Sequence, residues 1–437
     1  MAQAGNAVLK GLKWVGTGLF AVVLLVVLVG LASRLAPISA AQRQALELLD
    51  QPPPPPGRNG FAIMYLLPHP EIPEDQWDGV MAAHVAFIDA RSRALEAADS
   101  QQEREALLDP VDDPLGRYAR RKFVRHCQWN VGGPTCLEQA RADLDGFLVT
   151  HGTPETREIV RRIELLPGAS HVRTPFEPNP AAPLPAMQWL FVSTEARAVA
   201  HLQGRSDEAL AGICQDIRSA RMLAGASDNL LHGMVGVRWL EQSVVMLAQI
   251  TAELPAGQAL PAVCGIALAP PSPTEGSLCT AAQGEFAMGR GTVGSVKANP
   301  LFSPEKTLGL LAPHQSWMCG EAALSSVAAD IPVVVPERPE SYYRFECVGN
   351  PIGCVLAGIA GPAYDRYQHQ AQDVPALLRL AAMQQWLREQ HSARPGVSVQ
   401  QLLDEAPVTM RSPARPFTLG EGGRWLEMRR YGGNEVE

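Results

Sequence analysis

Length, composition and charge exclude several classes of protein. The chain has 437 residues, 46% of them hydrophobic, so it can bury a large core and is not a disordered protein. Aromatic residues make up only 6%, and Pro and Gly are plentiful, which favours helices joined by irregular loops over a β-sandwich. The first 34 residues hold only three charges, all basic, which leaves 34 basic and 45 acidic residues in the remaining chain. Because an acidic surface repels phosphate backbones, we expect no nucleic-acid partner.

A run of 20 uncharged residues, 14–33, lies between Lys13 and Arg34. About 20 apolar residues are needed to span the hydrocarbon core of a bilayer, so this run predicts a transmembrane helix. A cleavable signal peptide is the alternative, but its apolar part is usually only about 7–15 residues long and ends in a small-x-small site. The exit candidate here begins with the bulky Ile38. We therefore expect an uncleaved anchor, with the lipid bilayer as partner through residues 14–33.

The charges that flank this run indicate its orientation. Lys10, Lys13 and the N-terminal amine precede it, whereas Arg34 and Arg43 follow it. Basic residues favour the cytoplasmic side, so the slight excess predicts a cytoplasmic tail at residues 1–13 and a body outside the cytoplasm.

All eight cysteines follow the predicted anchor, and an even number in an oxidising compartment predicts four disulfides. Three pairs close short loops that contain Gly and Pro: Cys127–Cys136, Cys264–Cys279 and Cys347–Cys354. Cys214 and Cys319 then remain as a long-range pair. Free buried thiols are the alternative. Because the chain has no CxxC pair, we expect neither a metal nor another cofactor.

Residues 34–60 are predicted to form a stalk. Ala40–Asp50 is typical of a short helix, and the five prolines at 52–56 favour a stiff polyproline II spacer of about 15 Å. Such a spacer would hold the body off the bilayer and let a fragment from about residue 58 fold alone. A ligand for a proline-recognition module is a second interpretation of the prolines.

Residues 61–255 are predicted to form a helical domain. The apolar run 61–67 suits a strand or a buried segment, and helices are expected over 73–98, 134–148 and 154–166, followed by a connection at 167–186. The region 190–254 has the strongest helical periodicity, with apolar residues at spacings of three and four: Leu230, Met234, Val237, Leu240, Val244 and Leu247. Its turn GRSDEAL resembles the turn in one tetratricopeptide-type repeat, and a helical hairpin domain is expected.

Residues 256–310, rich in Pro and Gly, predict an irregular connection, with a flexible loop at 289–294. Residues 311–437 predict a small α+β region: helices at 319–329 and 374–391, a strand candidate at 331–335, and a hairpin over 416–431 that turns at 420–423. The fold class is therefore mainly α. Four tyrosines suit a recognition surface, although packing onto adjacent helices is the simpler interpretation: Tyr342, Tyr343, Tyr364 and Tyr367.

The C-terminal third carries a resemblance. The NPIG motif at 350–353, the YDRY motif at 364–367, the helix at 374–391 and the final hairpin resemble uncharacterised inner-membrane-anchored periplasmic proteins of Gram-negative bacteria. The resemblance covers about the last 90 residues. It implies a single-pass protein of the inner membrane with its body in the periplasm, and it implies no site.

Motifs for known chemistries are missing from the sequence. GxSxG, Walker A, GxGxxG and HExxH patterns do not occur. One cluster, His314, Cys319 and Glu321, holds a base, a thiol and an acid close together. An imidazole can activate a thiolate nucleophile, but oxidation of Cys319 to a disulfide is the simpler fate. We predict no catalytic, cofactor-binding or metal-binding residue.

The function expected from these features is a protein-binding or scaffold module of the cell envelope, either toxin-capturing or secretion-associated. The alternative is an envelope hydrolase whose site is assembled from distant residues. A deep pocket with converging His and carboxylate side chains would favour the hydrolase. An exposed apolar or tyrosine-rich groove would favour binding.

Overall fold

The computed structural model describes residues 2–98, 100–107, 112–128, 133–178, 182–296, 299–337, 344–360, 365–412, 414–420 and 425–432. The N-terminal helices are α1 (Ala2–Leu35), α2 (Ala40–Leu48), α3 (Phe61–Tyr65), α4 (Trp77–Ala97), α5 (Gln101–Leu107), α6 (Cys136–Ala142), α7 (Leu144–His151) and α8 (Pro154–Ile163). The central helices are α9 (Phe191–Leu202), α10 (Ser206–Gly225), α11 (Leu230–Glu253), α12 (Ala262–Ala267), α13 (Cys279–Gly294), α14 (Pro304–Leu311) and α15 (Pro313–Ser316). The C-terminal helices are α16 (Glu321–Ala328), α17 (Phe345–Val348), α18 (Pro351–Ala360), α19 (Asp365–Ala393) and α20 (Val399–Glu405).

Strands are few among the described residues. β1 (Arg58–Asn59) pairs in parallel with β2 (Ala169–His171), and β3 (Thr418–Leu419) pairs antiparallel with β4 (Leu426–Glu427). The β3–β4 pair confirms the predicted C-terminal hairpin, whose turn at 421–424 lies outside the described residues. The predicted fold class, mainly α with a small α+β C-terminal part, is confirmed.

Helix α1 contains a segment, Thr17–Leu35, that is long and apolar enough to cross a membrane. Only 6% of its most apolar window is buried within the protein, so its apolar side chains face outward. This is what a bilayer-spanning helix requires and what a core helix does not show.

The core of the body is built around α10 and α11, which pack against each other and against α9 and α19. The two helices approach closely at Gly236, where a Cβ atom would lie 2.6 Å from the backbone nitrogen of Ala224. The turn before α10 contains Gly204 at a φ of 78°, a left-handed conformation that glycine adopts without strain. The predicted helical hairpin is therefore present.

Helix α2 and the residues after it pack onto the body. Leu49 is only 1% exposed, and the Gln283 side chain donates a hydrogen bond to the carbonyl of Leu48. Arg173 donates to the carbonyl of Pro52 and to the side chain of Gln51, which attaches the start of the proline run to the body. The short helix predicted at Ala40–Asp50 is present as α2. The predicted role of residues 34–60 as a spacer is wrong, because α2 buries an apolar face against the body.

Residues 256–310 are mostly helical, which contradicts the predicted irregular connection. The glycines at 284 and 291 lie inside α13, where Cβ atoms would be 1.9 Å from the carbonyl oxygen of Asp228 and 1.8 Å from that of Pro178. These glycines permit close packing of a helix against neighbouring backbone, so the prediction of a flexible loop at 289–294 is wrong.

The run 61–67, expected as a strand or a buried segment, is a buried segment that begins with helix α3. The strand predicted at 331–335 is wrong. That segment has no regular secondary structure, and a side chain of α19 binds its backbone. Gln372 accepts from the backbone nitrogen of Val333 and donates to the carbonyl of Ile331.

Four disulfides join all eight cysteines. Cys127–Cys136 and Cys347–Cys354 are confirmed. The other two predicted pairs are wrong, because the structure joins Cys214 to Cys264 and Cys279 to Cys319. Cys264 and Cys279 lie on different helices, and each has a nearer partner on a helix that packs beside it. The four disulfides indicate an oxidising compartment.

Candidate functional site

The cluster at 314–321 offers no free thiol. Cys319 is bonded to Cys279, and Glu321 is exposed at the start of α16. The carbonyl of His314 accepts a hydrogen bond from the indole of Trp317. The hypothesis of a Cys–His nucleophile here is therefore wrong, because the sulfur of Cys319 is in a disulfide and cannot form a thiolate.

A cavity among the described residues forms a groove along α4, which we call the α4 groove. Its volume is about 610 Å³. Its floor is largely apolar and its rim charged, and the lining residues are Arg58, Asn59, Phe61, Ala62, Ile63, Glu74, Trp77, Asp78, Met81, Ala82, Val85 and Pro175.

Local structure explains how the groove forms. Trp77, Met81 and Val85 recur at spacings of four on α4, which puts them on one face of the helix. Phe61 and Ile63 come from α3, whose start is set by Asn59. The Asn59 side chain accepts from the backbone nitrogens of Phe61 and Arg173 and donates to the carbonyl of Arg173. The groove thus lies where three separate segments converge.

Arg162 supports the groove from beneath. It is 1% exposed, and its guanidinium lies 4.9 Å from the ring centroid of Trp77. It donates to the carbonyls of four residues in the loop before α4: Leu66, His69, Pro70 and Ile72. A bond to Glu158 completes its contacts. One buried arginine thereby determines the path of the loop that forms one end of the groove.

The rim carries both signs of charge. Glu74 lies 3.5 Å from Arg58 and 3.4 Å from Arg161, so two arginines share its charge. Asp78 is exposed one residue after Trp77. Hydrogen bonds from Arg161 and Arg162 lower the pKa of the nearby Glu158 to about 2. Glu158 therefore keeps its charge across the physiological pH range.

A polar chain lies behind the groove. Asp113 contacts Nδ1 of His84 at 2.8 Å, and Nε2 of His84 contacts the Tyr65 hydroxyl at 2.9 Å. The order of groups resembles an acid, a base and a nucleophile. However, burial and the charge of Asp113 raise the pKa of Tyr65, so its phenol stays protonated and donates to His84. None of the three residues lines the groove, and the chain acts as a structural link between α3, α4 and the 113 loop.

A second polar cluster centres on Glu195, which is 1% exposed. Its carboxylate accepts from the backbone nitrogens of His126 and Cys127 and contacts Nε2 of His151 at 3.0 Å. A small cavity of about 150 Å³ lies beside His151. The cluster holds the Cys127–Cys136 loop against α9, and nothing in the local sequence predicts it, because its partners are 44 to 69 residues apart.

Two further features of the sequence concern metal binding and the four tyrosines. Within the described ranges, no group of three His, Cys, Asp or Glu side chains could hold a metal ion. Tyr342, Tyr343 and Tyr364 lie outside those ranges, and Tyr367 is 36% exposed. Sequence reasoning missed the α4 groove altogether.

No protein-family model, no curated protein and no solved structure matches this chain.

Proposed function

We propose that this is a single-pass inner-membrane protein whose periplasmic body binds a segment of another envelope protein in the α4 groove. The observation that carries the proposal is the lining of that groove: apolar side chains at its buried floor and exposed charged residues at its rim. A concave site lined mainly by apolar side chains, with a few polar groups beside them, is typical of binding sites. The groove runs along two turns of one helix, which suits a short polypeptide segment.

The chemistry of the rim indicates what such a segment carries. Two arginines already share the charge of Glu74, whereas Asp78 is exposed. Apolar side chains would occupy the floor formed by Phe61, Ile63 and Met81. A basic residue beside them would meet Asp78. A toxin in transit or a subunit of a secretion machine could each present such a segment.

The periplasmic location has its own support and its own test. The basic residues before the apolar segment of α1 and the four disulfides after it favour a body outside the cytoplasm. An alkaline-phosphatase fusion after residue 60 should be active, and a reporter that works only in the cytoplasm should be silent there. The opposite pair of results would reverse the proposed topology.

Groove binding is tested by photo-crosslinking in cells. A photoreactive amino acid replaces Pro175, which is exposed on the rim. We expect one discrete protein adduct that disappears in the Ala82→Arg variant, since the long side chain fills the groove. Ala83→Arg is the matched control, because Ala83 is also exposed on α4 but does not line the groove. Equal adducts in both variants, or none at all, would contradict groove binding.

A further inference from the structure

The helices α17 and α18 expose an unusual amount of apolar surface. Phe345 is 52% exposed and Ile359 is 72% exposed, and Val348, Val355 and Leu356 are exposed between them. Residues 345–360 contain a single charged residue, Glu346. Its carboxylate accepts a hydrogen bond from Gln42 of α2, so this charge is turned toward the body. The outward surface of the two helices is therefore without charge.

This surface adjoins the end of the apolar helix α1. The Ser33 hydroxyl donates to the carbonyl of Phe345 at 2.5 Å and accepts from the backbone nitrogen of Gly349 at 3.0 Å. A Cβ atom at Gly349 would lie 2.8 Å from the carbonyl oxygen of Gly30 and from the backbone nitrogen of Arg34. The two backbones thus touch, and only glycine permits this approach.

Polar groups mark the level at which α1 leaves the bilayer. Lys306 donates to the carbonyls of Ser33 and Ala36, which are among the last of the helix and carry its negative dipole end. Arg34 donates to the carbonyl of Pro300. The contact of α17 reaches back to Gly30, about 7 Å deeper along the helix at 1.5 Å per residue. Helices that lie in the membrane interface are buried to about this depth.

We infer that α17 and α18, joined by the Cys347–Cys354 disulfide, lie in the outer interface of the bilayer as a second membrane contact beside α1. The occupant of their exposed surface is lipid. The inference rests on the proposed membrane anchoring, and it adds an orientation. A single helix leaves the body free to tilt relative to the membrane. Two adjacent contacts fix which face of the body is turned toward the membrane, and they therefore also fix the direction in which the α4 groove opens.

A cavity beside the disulfide supports lipid as the occupant. It has a volume of about 550 Å³, and Arg344 is the one charged residue among those that line it: Arg344, Phe345, Cys347, Val348, Pro351, Cys354 and Val355. Its lining includes Phe345, Val348 and Val355 of the exposed apolar face, and α17 packs against α1. Acyl chains packed around α1 would therefore meet this cavity directly.

The test uses the full-length protein in vesicles of phosphatidylethanolamine and phosphatidylglycerol. A photoreactive amino acid is placed singly at Val355, Ile359, Leu28 or Val149, and lipid adducts are detected by mass spectrometry. Leu28 is the positive control within α1, and Val149 is the negative control, an apolar residue of α7 that is 77% exposed. We expect lipid adducts at positions 28, 355 and 359 and none at 149.

The outcomes separate the inference from the anchoring on which it rests. Lipid adducts at 28 without adducts at 355 and 359 would overturn the inference and leave the anchor intact. Dimeric protein adducts at 355 or 359 would overturn it in favour of a second copy. A loss of adducts at 28 as well would overturn both. In a second variant, Ile359→Glu should remove at least half of the lipid labelling at 355, whereas Val149→Glu should leave it unchanged; an unchanged yield in both variants would also count against the inference.

Discussion

At the scale of single residues, two adjacent arginines of α8 have opposite environments. Arg162 is 1% exposed and makes hydrogen bonds to four backbone carbonyls, whereas the side chain of Arg161 is 46% exposed and pairs with Glu158 and Glu74. The periodicity of α8 identifies its buried face, but it does not explain why a charged residue belongs there. The explanation is the loop before α4, whose carbonyls need donors.

We predict that Arg162→Lys destabilises the protein by about 2–4 kcal/mol, because a lysine cannot reach four carbonyls with one ammonium group and leaves some of them buried without a donor. Arg161→Lys is the control and should change the free energy of unfolding by less than about 0.5 kcal/mol. Urea unfolding followed by circular dichroism measures both. Similar effects of the two substitutions would mean that the carbonyl contacts contribute little.

His232 provides a pH-dependent prediction. It is fully buried, neither ring nitrogen has a hydrogen-bond partner in the described part of the chain, and burial lowers its pKa to about 4. The unfolded state binds its proton near pH 6.5, so stability falls as the pH drops from about 6.5 to 4 and levels off below that. Burial raises the pKa of Asp216 and of Asp228 to about 6, which acts in the opposite direction.

A comparison with His232→Leu isolates the histidine. Between pH 7 and pH 4 the variant should gain roughly 3 kcal/mol relative to the wild type, from about 1.4 kcal/mol per pKa unit. His391→Leu, at an exposed position of α19, should follow the wild type. Urea unfolding at both pH values gives the three free energies, and parallel pH profiles for wild type and His232→Leu would contradict the prediction.

At the scale of elements, α13 shows how glycine content can mislead. A Cβ atom at Gly284 would clash with the carbonyl of Asp228, whereas one at Gly289 would have no neighbour within 4 Å. We predict that Gly284→Ala destabilises the protein by roughly 1–3 kcal/mol because the helix must move. Gly289→Ala should stabilise it by about 0.5–1 kcal/mol through helix propensity. Melting temperatures of the two variants measure the difference, and a shift of the same sign in both would refute it.

The disulfides join elements over very different distances along the chain. Cys214–Cys264 spans 50 residues and links α10 to α12, whereas Cys127–Cys136 spans 9. On the chain-entropy view, replacing the first pair with Ala should cost about 4 kcal/mol and replacing the second about 2.5 kcal/mol. Thermal unfolding compares the two double variants. Peptide mapping without reduction should recover Cys214 linked to Cys264, and a recovered Cys264–Cys279 peptide would contradict the structure.

At the scale of the whole molecule, the segment that follows α1 belongs to the body. Ala45 and Leu49 are in the main core, and α2 packs against α14 and α15. The body therefore does not begin at residue 58, where the sequence alone places its start. It begins close to the end of α1, which leaves little chain between the body and that helix.

This predicts a difference between two fragments. A fragment of residues 37–437 should be more stable than one of residues 58–437 by at least about 2–3 kcal/mol, which is the contribution of burying one leucine. The difference is a minimum, because removal of α2 also exposes the surface of the body that α2 covers. Leu49→Ala in the longer fragment should reproduce much of the loss. Thermal unfolding of the three proteins provides the measurement. Equal melting temperatures would restore the interpretation of residues 34–57 as a spacer.

The candidate site shows where sequence reasoning stopped. Trp77, Met81 and Val85 fall on one face of α4, which periodicity identifies. This face is lined by α3 and β1, which leave it open as a groove. That arrangement depends on the hydrogen bonds of Asn59 and Arg162, whose partners are about 90 to 114 residues away in the chain. The expected oxidation of Cys319 is confirmed, but its predicted partner, Cys214, is wrong for the same reason, because its partner Cys279 lies on another helix.

The sequence by itself determined the features whose causes lie within a few residues. These are the apolar length of α1, the Thr153 and Pro154 start of α8, and the disulfides that close loops of 9 and 7 residues. The tertiary structure alone decided the two long-range disulfides, the helical packing of α13, the docking of α2 and the α4 groove. A cap, an apolar run or a short loop is formed by neighbours in the chain, whereas these other features depend on which helix faces meet, and many pairings of amphipathic helices satisfy the same local pattern.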